Sequence, residues 1–267
     1  MSKPVAFILA NTDHGTMIIN RNDAHHTPQG SYGVGHQLLS KSNYDPQEVG
    51  FTIHLLDRLR KLNSGQIIAI DCGANVGVHT IEWGKFMTGW GHIYSFEAQE
   101  KIFYALAGNI AINNLFNVSA FNEALGANCG YIEISPPNYF MQGSFGSFEL
   151  KRKDNNEFIG QKIDYDKKVK VKLSTIDSLL LERIDLIKID VEGMEEDLLT
   201  GAKKSIEEYK PILIIEIIKS NKENIEKYLK KIDYKIFPMG MNILAVHEKN
   251  PVLEKIRVTN NQMQLLP

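Results

Sequence analysis

Five short apolar runs in this chain end on, or just before, a side chain able to do chemistry: Asp71, Glu97, Asn122, Asp190 and Glu216. The densest stretch is Ile67-Ile68-Ala69-Ile70-Asp71-Cys72-Gly73-Ala74-Asn75-Val76-Gly77, four apolar residues, an acid, and a turn with two glycines that opens into an expected helix. A strand entering a helix through such a turn leaves backbone N–H groups unpaired and room for a ligand. An acid at its mouth repels phosphate and suits a ligand with a positive amine or sulfonium. The loop is not the dinucleotide fingerprint, since Asn75 and Val78 stand where its second and third glycines belong, and it lacks the Lys-Ser/Thr of a phosphate-binding loop.

That preference points to S-adenosylmethionine as cofactor. Glu97 follows Asp71 by 26 residues and closes the next expected strand, where an acid can accept from both ribose hydroxyls of an adenosyl group. Ala98 is placed to flank the adenine. Asp190 and Glu192 close a later strand and are the candidate bases, a role that contributes ~10²–10⁴-fold when the proton transfer is well positioned. Asp190, Glu192 and Glu216 are numerous enough to bind a divalent ion. Acids at strand ends more often face water or cofactor, so no metal is expected.

These residues need a frame, and the hydrophobic periodicity supplies one. Residues 5–20 read as two short strands around the turn at 11–15, and 21–44 as a polar, irregular, lid-like loop carrying His25, His26 and His36. Asp45-Pro46-Gln47-Glu48 has the form of a capping box opening a helix to Leu62, with Val49, Ile53, Leu56, Leu59 and Leu62 on one face. Strands then alternate with helices: strands at Ile67–Asp71, His92–Phe96, Val118–Asn122, Asp185–Asp190 and Pro211–Ile217, and helices near 78–88, 101–113, 194–202 and 222–231. A hairpin, Tyr234–Phe237 with Asn242–His247, closes the series. Near-continuous apolar strands between amphipathic helices imply a parallel sheet covered on both faces, with its ligands at the carboxyl ends of the strands. An insertion at 126–178 holds two strands, the aromatics Tyr139, Phe140, Phe145 and Phe148, and a lysine-rich run read as an exposed charged hairpin. Residues 248–267 read as a loosely packed tail.

The chain has 267 residues, 43% hydrophobic and 23% charged, with a formal net charge of −2. That length supports one well-buried α/β core, and the charge supplies no global attraction to nucleic acid or an anionic membrane. Two cysteines make neither a disulfide framework nor a metal-ligand cluster, and Cys72 reads as small buried filler. No apolar run reaches the ~20 residues of a membrane helix. Residues 5–10 are short for a signal core and lack a cleavage pattern. A soluble, unprocessed, cytoplasmic protein is expected.

Asp-Cys-Gly-Ala-Asn-Val-Gly at 71–77, Phe-Glu-Ala at 96–98, Glu-Ala-Leu-Gly at 123–126, Ser-Thr-Ile-Asp-Ser-Leu at 174–179 and Lys-Ile-Asp-Val-Glu-Gly-Met-Glu at 188–195 together resemble the FkbM family of S-adenosylmethionine-dependent methyltransferases. The resemblance runs in order over 67–247 and leaves the first 66 residues unmatched. It implies the class I methyltransferase fold, a Rossmann-like α/β architecture whose seven-stranded, mostly parallel sheet has helices on both faces and a reversed last strand. To this the chain adds an N-terminal strand hairpin and helix. It implies that Asp71, Gly73, Asn75 and Gly77 hold the amino-acid end of the cofactor, with His79 and Thr80 reaching its carboxylate. Glu97 binds the ribose, and Asn122 and Glu123 lie where adenine contacts fall. The acceptor is expected to be a hydroxyl of a saccharide, glycolipid or other natural product, a preference for oxygen that comes from the resemblance alone. The division expected is an N-terminal extension (1–66), the methyltransferase domain (67–247) and a tail (248–267). An N- or cap-type RNA methyltransferase, a nicotinamide oxidoreductase and a non-catalytic cofactor-binding protein are the alternatives.

Overall fold

The structure is a computed structural model that describes residues 4–259 and 262–266. In chain order, β1 (Phe7–Thr12) and β2 (Gly15–Asn20) form a hairpin, followed by β3 (His25–Thr27), β4 (Gly30–Tyr32), α1 (Val34–Lys41) and α2 (Pro46–Leu62). The central alternation comprises β5 (Ile67–Cys72), α3 (Val78–Phe86), β6 (Gly91–Phe96), α4 (Glu100–Ile112) and β7 (Val118–Phe121). β8 (Glu123–Leu125), β9 (Gly130–Ile134) and β10 (Val169–Ser174) make a separate three-stranded sheet. The core resumes with β11 (Leu186–Ile189), α5 (Glu195–Gly201), α6 (Lys203–Tyr209), β12 (Ile212–Glu216), α7 (Lys222–Lys231), β13 (Tyr234–Met239) and β14 (Asn242–His247). β15 (Ile256–Thr259) and β16 (Gln262–Leu265) pair at the end.

The central sheet has the order β13-β14-β12-β11-β5-β6-β7. β5, β6, β7, β11 and β12 run parallel, while β14 is antiparallel to both β12 and β13. The chain builds outward from β5 through β6 to β7, then returns to lay β11 on the other side of β5. The connections after β5 and β11 therefore lead to helices on opposite faces of the sheet, which leaves room for a ligand above the switch point. Each face has its own core. Leu55, Leu56 and Leu59 of α2 and Trp83 of α3 cover one face, and Leu198, Leu199, Ile206, Ile225 and Leu229 from α5, α6 and α7 cover the other. Cys72 sits in the second core with no exposure, which accords with a filler role. Among the described residues, no helix is long and apolar enough to cross a membrane.

The structure corrects several local expectations. Residues 21–44 are not irregular: they hold β3, β4 and α1. The organiser is Asp23, buried at 3% exposure, whose carboxylate accepts from Gly35 N at 2.8 Å and Phe145 N at 2.9 Å and so pins α1 to the insertion. Asp45 does precede α2, but its side chain makes no cap hydrogen bond. Glu48 reaches instead to Asn242 Nδ2, 2.6 Å away on β14, so the capping box is not formed. α2 buries Val49, Thr52, Leu55, Leu56 and Leu59, a stripe rotated from the expected one. The Trp83 indole donates to Thr52 Oγ1 at 2.9 Å and satisfies that hydroxyl inside the packing. Of the tail, Val252 is fully buried against the α2–α3 core, worth about 1.5–3 kcal/mol.

The insertion packs onto the body as expected for Phe145 and Phe148, both buried, whereas Phe140 is exposed. Much of its lysine excess is matched locally: Lys151 pairs with Asp197, Lys153 with Glu149, Lys168 with Glu133 and Lys172 with Glu123. The N-terminal hairpin is fastened by Asn109 of α4. Its amide accepts from Ile18 N and donates to the carbonyls of Ile18 and Val76, tying β2 to the glycine loop.

Candidate functional site

A cavity of about 340 Å³ lies over the carboxyl ends of β5, β6, β11 and β12. Its floor is the glycine loop after β5, where the sequence meets two steric demands. Gly73 has φ +80, and a Cβ there would collide with the Asp190 carbonyl oxygen, so this glycine lets the loops after β5 and β11 touch. Asn75 also adopts a left-handed conformation (φ 51), which asparagine tolerates better than most residues; its side-chain oxygen accepts from Val76 N at 2.7 Å.

Asp71 lines the cavity with 1% exposure. One oxygen accepts from Thr80 Oγ1 at 2.6 Å; the other, Oδ1, is buried with no hydrogen-bond partner among the described residues. An orphaned buried carboxylate oxygen calls for a donor, because leaving it unpaired costs about 1–3 kcal/mol or more. Glu97 is nearly as buried and better satisfied: Oε2 accepts from Asn75 N at 2.9 Å and Oε1 from Gln99 N at 2.7 Å. Burial pushes its carboxyl up to about 7 despite those two donors, with Asp190 and Asp71 adding repulsion.

At the other end, β11 carries Lys188 inside an otherwise apolar strand, in register with Asp71 of β5. Its ammonium donates to Asp190 Oδ2 at 2.9 Å. Burial works against the charged form of Lys188, but Asp190, Asp71 and Glu48 together hold its pKa above the ordinary lysine range. The loop after Asp190 turns through Glu192 (φ 52) and Gly193 (φ 89), and Glu195 clasps it by accepting from Val191 N and Gly193 N, each at 3.1 Å. Lys219 Nζ stands 2.6 Å from Glu192 Oε2. The angle is poor for a hydrogen bond, yet at that separation the opposite charges are paired. Lys219 also meets Glu157 at 2.8 Å and the Ser147 carbonyl at 2.6 Å, joining the insertion to the site. Oxygens of Asp190, Glu192 and Glu216 lie within 4.8 Å of one another. Two ammonium groups already sit against Asp190 and Glu192.

Of the residues singled out in the sequence, Asp71, Gly73, Asn75, Gly77, His79, Glu97, Ala98, Glu123, Asp190 and Glu192 all line this one cavity. Thr80 and Asn122 are not among the lining residues. The Thr80 hydroxyl is spent on Asp71 and Ser95, and the Asn122 amide donates to the Glu97 and Ala98 carbonyls. Both support the residues that line the wall. His79 turns toward α2, its Nε2 3.3 Å from Glu48 Oε1 without hydrogen-bond alignment. The sequence reading gave no role to Lys188, Lys219, Gln99 or Tyr44. A lone lysine inside the apolar run Leu186–Ile189 was a usable signal for the first. Lys219 carries none, since its partners come from three distant segments. His25, His26 and His36 are not in the cavity wall; His26 bonds Ser31 and His25 packs on Phe158.

A seven-stranded sheet with this strand order, one antiparallel strand next to the last, and an acid-glycine loop at its switch point defines the class I methyltransferase fold. Residues 71–236 match the Methyltransferase FkbM domain, and the chain belongs to that family. It is 30% identical over 175 residues to Methyltransferase sdnD of Sordaria araneosa, covering 57% of this chain and 65% of that one. It is 26% identical over 142 residues to Methyltransferase 1 of Beauveria bassiana, covering 49% of this chain and 57% of that one. The matched stretch thus spans less than two thirds of these relatives. Among solved structures, the methyltransferase FkbM from Methylobacillus flagellatus superposes with a TM-score of 0.49 at 17% identity, over 70% of this chain and 46% of the other.

Proposed function

We propose that this protein transfers the methyl group of S-adenosylmethionine to a hydroxyl of a small-molecule acceptor, such as a saccharide, glycolipid or other natural product. The observation that carries the reading is the single cavity joining Asp71, Glu97 and Asp190 at the switch point of the sheet. Its volume is in the range of small-molecule sites. The residues fit the cofactor: the free oxygen of Asp71 suits its ammonium, and Glu97, with one backbone donor on each oxygen, keeps lone pairs for the ribose hydroxyls. Gly73, Asn75 and Gly77 keep the loop close enough for backbone contact, and Ala98 and Glu123 border the adenine side. When bound, the cofactor supplies an electrophilic methyl carbon. The protein's part is to align the acceptor with that carbon and remove its proton, at the end where Asp190 and Glu192 stand. In this reading 67–247 is the catalytic domain, and 1–66 covers it through Tyr32, Val34, Gln37 and Tyr44 in the cavity wall, with 248–267 as a docked tail. Two free thiols, Cys72 and Cys129, suit a reducing cytoplasmic setting.

The charge of the wall weighs against a phosphate-bearing acceptor such as RNA. Eight lining acids (Asp45, Asp71, Glu97, Glu123, Glu157, Asp190, Glu192 and Glu216) face two lysines, Lys188 and Lys219. Calorimetric titration with S-adenosylhomocysteine and S-adenosylmethionine tests the reading. Saturable one-to-one binding of both is expected, and no heat with either overturns it.

A further inference from the structure

The three acids at the β11–β12 end are unequal. Asp190 is paired with Lys188 and Glu192 with Lys219, whereas Glu216, the last residue of β12, makes no ion pair among the described residues. Its Oε2 is buried, has no hydrogen-bond partner among them, and belongs to a side chain lining the cavity. A base needs an uncommitted lone pair within reach of the proton it takes. Asp190 and Glu192 each hold an ammonium against their carboxylate; Glu216 does not.

We propose that Glu216 is the catalytic base, accepting the acceptor's hydroxyl proton on Oε2, with Asp190 and Glu192, each set against a lysine ammonium, beside it as positioning groups for the acceptor. This deepens the methyl-transfer reading and rests on it. The step balances: the O–H bond breaks and its proton goes to Glu216, the electron pair left on oxygen forms the bond to the methyl carbon, and the C–S pair returns to sulfur. A positive sulfonium and a carboxylate become a neutral thioether and a carboxylic acid.

The surroundings of Glu216 suit that exchange. Burial pushes its carboxyl up to about 8; Asp190 of the β11 loop and Glu195 of α5 add repulsion, while Lys188 of β11 and Lys219 of the following loop oppose them. Glu192 faces it from the turn before α5, and from β14 it meets Asn242, which ties Glu48 of α2 to the same corner. At neutral pH the neighbouring carboxyls of Glu216 and Glu192, both pushed up first by burial and then by Asp190, favour their protonated forms, and a cation entering the cavity favours ionisation. Donor arrival and release of the Glu216 proton are linked, and a neutral thioether product removes the reason for the charge.

The test needs no acceptor. Calorimetry at pH 7.5 in buffers of different ionisation enthalpy counts protons released on binding. S-adenosylmethionine should release about half a proton more than S-adenosylhomocysteine. Glu97 faces the portion common to both ligands, so its contribution cancels in the difference. The difference should fall to near zero in Glu216→Gln, and in the wild-type protein at pH 9.5, where Glu216 is already ionised; the latter arm needs no variant. Equal release by the two ligands at pH 7.5 in the wild type overturns the proposal. So does a difference that survives in Glu216→Gln and vanishes in Glu192→Gln. Failure of either ligand to bind at all sinks the methyl-transfer reading itself, a distinguishable result.

Discussion

At the β5–β6 end of the cavity, Asp71 and Glu97 are held by a hydroxyl and by backbone N–H groups; at the β11–β12 end, Asp190 and Glu192 are held by lysines. Backbone donors on a short loop are fixed by the fold and cost nothing further to organise. Lysine side chains are movable and carry a full charge, so the ionisation of one acid at that end depends on all the others. The first arrangement suits recognition of a constant ligand, and the second suits a change of protonation state during a reaction.

The largest way to break this contrast is to remove the contact that joins the two ends. Gly73→Ala places a methyl group against the Asp190 carbonyl at φ +80. Left-handed backbone strain of ~1–2 kcal/mol and overpacking of ~1–3 kcal/mol predict a loss near 3 kcal/mol. Urea unfolding measures it, and a variant as stable as the parent would show that the loops need not touch. Lys188→Met comes next. It leaves Asp190 and Asp71 without their shared cation, and removing one partner of a buried pair costs about 3–5 kcal/mol. Asp190 keeps 30% of its side-chain exposure, so water offsets part of that and about 2 kcal/mol is expected from the same unfolding measurement.

Asp71→Asn separates recognition from stability. Thr80 can still donate to the amide oxygen, so folding should hold, while a charge-assisted contact worth ~1.5–3 kcal/mol is lost to the ligand. Both S-adenosylmethionine and S-adenosylhomocysteine, which share the amino-acid end, should bind about 10–100-fold more weakly in calorimetry. Weakening of only one of them would move Asp71 away from that end.

The same contrast explains what the sequence disclosed. Asp71, Gly73 and Glu97 were legible because each is a strand-end or turn residue whose position follows from periodicity in its own segment. The seven-stranded sheet was legible for the same reason, the runs from Ile67, Leu186 and Ile212 being near-continuously apolar, with Lys188 the exception inside the second. The lysine partners were hidden, since Lys219 reaches Glu157 and Glu192 only through tertiary packing. The fold of 21–44 was hidden in the same way: α1 is a short helix pinned by Asp23 to Gly35 and to Phe145, which lies 122 residues further along. Thr80 and Asn122 lie behind the cavity wall for the opposite reason. Their positions beside the site were right, but an internal acceptor claimed each side chain first.

The smallest expected effect sharpens the comparison most. Glu97 rests near a pKa of about 7, raised chiefly by burial from an ordinary 4.5. Ribose hydroxyls donate, and so favour the ionised carboxylate; ligand binding then releases a proton from Glu97. Affinity for S-adenosylhomocysteine should rise by about three- to tenfold from pH 6 to 7 and level off above it. Stability of the free protein moves the other way. Between pH 4.5 and 7 the folded state holds the Glu97 proton more tightly than the unfolded chain, so this group's contribution is greatest at low pH and is lost as pH rises through that window. Glu97→Gln should flatten the affinity profile and remove that share of the stability slope, leaving the shares of Asp23 and Glu216, which carry the same sign. An affinity profile unchanged in Glu97→Gln would place the titrating group at the lysine-held end and erase the distinction between the two.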